Sequence, residues 1–167
     1  MKFLQFIFVF GLFAFAMASC LEENSFPPEP EISFRSFEIE GSGAVLSIDF
    51  TDGDGDIGLD QSDTTGVNCP DTCKYYYNLF CEYYELQNGA WTLIPLDPEL
   101  GQIPFYYRVP NISPSGQNPA LNGIIEVNMP SYYLIGTGFD TCRFEVTLAD
   151  RTINESNTIT TRTFLKP

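Results

Sequence analysis

Cys142, Phe144, Val146 and Leu148 alternate with Arg143, Glu145 and Thr147, and this two-residue period restricts the possible folds more than any other feature. Successive side chains of a β-strand point to opposite faces, so strict alternation marks a strand with one face in a core and one in water. The period recurs in Leu46, Ile48 and Phe50 against Ser47 and Asp49, and again in Ile125, Val127 and Met129. Ile32 and Phe34, then Phe37 and Ile39, alternate but change phase at Arg35 and Ser36, as a β-bulge requires. Residues 75–86 read as a long strand closed by Asn88-Gly89, a two-residue hairpin turn, with residues 91–94 returning beside it. The Thr-rich run 157–165 reads as a last strand at a sheet edge. About seven short strands with turns between them, and no strand–helix–strand rhythm, predict an all-β antiparallel sandwich.

The first residues do not belong to that domain. Lys2 is followed by an apolar run over 3–17, too short for an ordinary membrane span, and small residues then lead into Met17-Ala18-Ser19-Cys20. This is a secretory signal over 1–19. The M-A-S-C end resembles the lipobox of bacterial lipoproteins, with Met where that family usually carries Leu. The resemblance implies that Cys20 is acylated and becomes the new N-terminus, which makes the membrane a partner through the anchor. Glu22 and Glu23 are similar to the acidic signals of lipoproteins sent to the outer membrane, at the cell surface or facing the periplasm. Residues 20–30 hold Pro27, Pro28 and Pro30 among polar residues and read as a stiff tether; residues 31–167 form one domain.

Composition excludes several functions. Without Lys2, seven basic side chains face 22 acidic ones, so the chain repels phosphate backbones and nucleic acid is not expected as a partner. There is no histidine, which removes Ser-His-Asp and Cys-His catalysis and His-ligated zinc. No carboxylate pair is marked as set in an apolar cleft, so the chain is not expected to be an enzyme. A glycan hydrolase working with two carboxylates is the rival reading.

The stretch 50–59 reads F-T-D-G-D-G-D-I-G-L. Asp52, Asp54 and Asp56 crowd three carboxylates into five residues, and glycines between them let the backbone turn tightly. A hard divalent cation with oxygen ligands would hold them together, and Ca2+ is the expected cofactor; a solvated acidic turn is the plainer alternative. The spacing resembles the first, third and fifth positions of an EF-hand loop, but Ile57 stands where that loop needs glycine.

The strand order resembles immunoglobulin-like and fibronectin type III-like sandwiches over residues 31–167, with an eight-stranded jelly roll as the alternative. The resemblance implies that the loop after the second strand and the loop after the sixth share one end. Asp150 would then join Asp52, Asp54 and Asp56 as a ligand. It keeps the inward phase of Leu148, an odd place for a carboxylate unless an ion or Arg151 neutralises it.

Cys69, Cys73, Cys81 and Cys142 lie in an exported chain and read as two disulfides, with a four-cysteine zinc site as the alternative. Three pairings are open. Cys81 and Cys142 both carry the inward phase of their strands, and only a short turn separates Cys69 from Cys73, so the expected bridges are 81–142 and 69–73. The hairpin register sets Leu86 against Trp91 and Tyr84 against Leu93. These four residues share one face, either covered by the Pro-rich segment 95–119 or open as a platform for a protein or glycan partner. The expected whole is a lipid-anchored binding or structural module of the cell envelope. An accessory subunit of an outer-membrane complex is the alternative.

Overall fold

The computed structural model describes residues 26–70, 73–96, 102–112 and 120–167. The signal segment 1–19, Cys20 and the first half of the tether lie outside these residues.

Among the described residues, nine strands form two antiparallel sheets. The first sheet has the order β1 (Glu31–Glu40), β2 (Gly43–Asp52), β6 (Leu121–Met129). In the second, β3 (Leu79–Gln87) and β7 (Thr141–Leu148) lie side by side. One edge of β3 is shared by β4 (Ala90–Leu93) and β5 (Tyr106–Tyr107), and the far edge of β7 by β8 (Ile159–Thr160) and β9 (Phe164–Leu165). The chain builds β1 and β2, crosses to β3–β5, returns for β6 and crosses again for β7–β9. This is the expected all-β antiparallel sandwich. A jelly roll would need two sheets of four full strands, and among the described residues the first sheet has three.

The alternating residues do what their period predicts. Leu46, Ile48 and Phe50 of β2, Ile125 and Val127 of β6, and Phe144, Val146 and Leu148 of β7 are buried in one continuous core. Aromatic rings bind the sheets across it: Phe37 of β1 lies 4.9 Å from Phe164 and 5.8 Å from Phe144, centroid to centroid. The phase change in β1 is a bulge, with the register against β2 shifting between Phe34 and Ser36. The hairpin pairs Leu86 with Trp91 and Tyr84 with Leu93, as the Asn88-Gly89 turn requires.

One expected bridge is present and the other is not. Cys69 and Cys73 are joined, between two short 3-10 turns at Gly66–Asn68 and Lys74–Tyr76. Cys81 and Cys142 are free, buried thiols. Both face the core, but on neighbouring strands of one sheet: Cys81 lies opposite Val146, and Cys142 opposite Glu85. An offset of four residues at about 3.4 Å each separates them by over 10 Å, well beyond disulfide reach. Alternation sets the face a residue occupies and is blind to a slip by an even number of residues.

Candidate metal centre

β2 presents Ala44, Leu46, Ile48 and Phe50 to the core, and the next inward position is Asp52. β7 presents Phe144, Val146 and Leu148, and the next inward position, just past its end, is Asp150. The two strands belong to opposite sheets and finish at the same end of the sandwich. Their inward rows therefore bring two carboxylates together where the core closes. Asp52 is fully buried and Asp150 is 4% exposed. The loop after β2 then returns Asp56 to the same point. Asp52, Asp56 and Asp150 each offer a carboxylate oxygen within 4.8 Å of the other two.

Both loops are held in shape by their own bonds. The Asp56 amide donates to Asp52 Oδ2 (2.9 Å). Asp150 Oδ1 accepts from Thr152 Oγ1 (3.1 Å) and the Asn154 amide (2.8 Å), and its Oδ2 accepts from Asn154 Nδ2 (2.8 Å). Ile153 sits in the left-handed region at φ 74°, unusual for a β-branched residue, and closes this tight turn. The Arg151 amide donates to Asp56 O (3.3 Å) and ties the loops to each other. Gly58, at φ 97°, lets the chain pass Pro110, whose carbonyl would collide with any Cβ there.

What the site lacks is positive charge. Arg151 directs its guanidinium away, to Gly58 O (3.3 Å) and Asp60 (3.7 Å). Among the described residues, no lysine or arginine forms an ion pair with Asp52, Asp56 or Asp150. Asp52 Oδ1 and Asp56 Oδ1 are buried without any hydrogen-bond partner. Burial, with the charges of Asp54, Asp56 and Asp150 added, pushes the Asp52 carboxyl up to about 6. Burial and the charges of Asp150 and Asp54 also raise Asp56, against hydrogen bonds from Thr152. Such a cluster has two ways to settle: it takes up a proton, or it takes up a cation.

Of the four aspartates expected as ligands, Asp52, Asp56 and Asp150 lie together at one end. Asp54 is exposed and not one of the three converging carboxylates, so its part is electrostatic. Asn154 orients Asp150 by donating to it. Thr152 was overlooked, although its two-residue distance from Asp150 is the spacing of a side-chain-capped turn.

Elsewhere, the hairpin face is only partly open. Leu93 is exposed, while Tyr84, Leu86 and Trp91 are half-buried. Over the Trp91 ring lies the Arg143 guanidinium, 4.4 Å from its centroid and 5.6 Å from that of Tyr84. At the opposite end of the sandwich from the aspartates, Glu85 of β3 is fully buried and receives Lys166 Nζ (2.5 Å) and Thr137 Oγ1 (2.6 Å).

Compared with protein-family models, curated proteins and solved structures, the chain gives no match in any of the three.

Proposed function

We propose that this chain is a lipid-anchored binding or structural module of the bacterial cell envelope, with one calcium ion stabilising the end of its sandwich. The observation that carries the calcium part is Asp52 Oδ1, buried and unpartnered inside a group of three carboxylates. A buried ionised oxygen with no donor costs several kcal/mol in any fold that leaves it so, and a cation removes the cost. The donors are all hard oxygens, which favours Ca2+ or Mg2+ over thiolate- or imidazole-seeking metals. Loop donors and a half-open rim suit the larger, more adaptable ion. Asp52, Asp56 and Asp150 would hold it, with backbone carbonyls and water completing the shell. Its role would be structural, joining two loops that otherwise repel.

The anchor rests on Met17-Ala18-Ser19-Cys20 and the tether behind it, and the outer membrane on Glu22 and Glu23. Calcium affinity in extracellular modules lies at roughly 0.1–1 mM. At about 30 times the dissociation constant, binding adds about 2 kcal/mol of stability and several degrees of melting temperature. Calorimetry and melting curves in millimolar CaCl2 should show that shift for the wild type and not for Asp52→Asn or Asp150→Asn. No shift in the wild type would leave an acidic turn and end the proposal.

A further inference from the structure

The two loops that converge on the aspartates also grip the chain where it enters the domain. Gly53, next to Asp52, donates its amide to Pro27 O (2.8 Å). The approach is so close that a Cβ on Gly53 would collide with the carbonyl oxygens of both Phe26 and Pro27. From the other loop, Asn157 clasps the backbone of Ile32 on both sides: its Oδ1 accepts the Ile32 amide (2.8 Å) and its Nδ2 donates to Ile32 O (2.9 Å). Residues 26–32 are thus fastened at two points, one on each loop. The loops are joined to each other through Arg151, whose amide donates to Asp56 O (3.3 Å) and whose guanidinium reaches Gly58 O (3.3 Å) and Asp60 (3.7 Å), and through Thr152, which bonds Asp56. Between them lie three carboxylates, two of them with an unpartnered oxygen.

From this juxtaposition we infer that cation binding at Asp52, Asp56 and Asp150 sets the grip on residues 26–32, so that the domain is hinged loosely to its tether without the ion and fixed to it with the ion. The inference rests on the calcium reading and extends it. With the site empty, like charges push the loop after β2 away from the loop after β7, and the two fastenings separate with them. A shared cation draws both carboxylate groups to one point, and Gly53 and Asn157 come to bear on the same segment at once. The ion acts on the tether only through these two residues, neither of which it touches.

Hydrogen exchange read by mass spectrometry on the full mature chain, in chelator and in CaCl2, tests this. The Ile32 and Gly53 amides should exchange at least tenfold more slowly with calcium. In Gly53→Ala, calorimetry should show calcium still bound while the amide at position 53 stays as unprotected as in chelator. Asn157→Ala should separate the effects in the same way at Ile32, and it keeps the test open if the glycine variant does not fold. Calcium binding in calorimetry with no change in exchange at Ile32 or Gly53 would overturn the inference and leave the calcium site standing. Absence of calcium binding would overturn both.

Discussion

Asp52 has the most to lose from its position, since its inward direction is dictated by the pleat of β2 and its charge has no partner there. Its carboxyl is raised to about 6 by burial and by Asp54, Asp56 and Asp150, so the folded domain holds this proton more tightly than the unfolded chain does. The linkage then has one sign: without the ion, stability is highest where Asp52 is protonated and falls as pH rises from about 4 through 6. Melting curves in chelator should therefore drop between pH 5 and pH 7.5. Asp52→Asn should flatten that drop and melt higher than the ion-free wild type at pH 7.5, by several degrees, since an unsatisfied buried group costs about 1–3 kcal/mol. The same variant loses the response to calcium. A substitution that stabilises the empty protein and abolishes the gain from the ion separates a metal ligand from an ordinary core residue. Asp54→Asn, at an exposed position, should change the calcium response far less.

Among the elements, β3 carries two lessons about what alternation reveals. Its hairpin register with β4 was legible, because Asn88-Gly89 admits a single short turn and the pairing follows from it. Its register with β7 was not, because residues 94–140 intervene and no local signal measures their path. The misplaced bridge between Cys81 and Cys142 came from there. Asp150 survived the error because a slip of four leaves every side chain on its original face. Glu85 was legible and overlooked: it continues the inward row of Leu79, Cys81 and Tyr83, as Asp52 continues that of β2. Burial by itself would raise its pKa, but hydrogen bonds from Lys166, Thr137 and Gln87 outweigh it and hold the carboxyl below the usual range. Lys166, with a side chain 10% exposed, pins the β9 end of the chain to β3 through this bond. Glu85→Gln should cost about 3–5 kcal/mol in urea unfolding, because it strands the Lys166 charge in a nearly closed site. Adding Lys166→Met should recover part of that loss.

For the whole molecule, the fold class and the bulge in β1 followed from period and spacing, whereas the end at which the acidic loops meet came from the resemblance to immunoglobulin-like sandwiches. The cover over Trp91 followed from neither, since Arg143 reaches it from a strand far away in sequence. Attachment is a property of the whole chain too. Replacing Cys20 by serine should move the protein from the membrane fraction to the soluble one, and mass spectrometry of the wild type should find acyl chains on an N-terminal Cys20. An unmodified or internal Cys20 would remove the anchor. The way the chain enters then has a mechanical consequence. β1 starts at Glu31, opposite Thr51 at the acidic end, and runs antiparallel to β2 as far as Glu40, opposite Gly43. A pull on the chain ahead of Glu31 is directed along β1, so the rungs of the ladder lie across the load and bear it together, in shear. Were the chain to enter at the other end of that strand, the same pull would open the rungs one after another, like a zip. With an anchor at Cys20, the domain would be roped along its length to the membrane, and drag on its outer end would load the first strand in line where the opposite arrangement would peel it away.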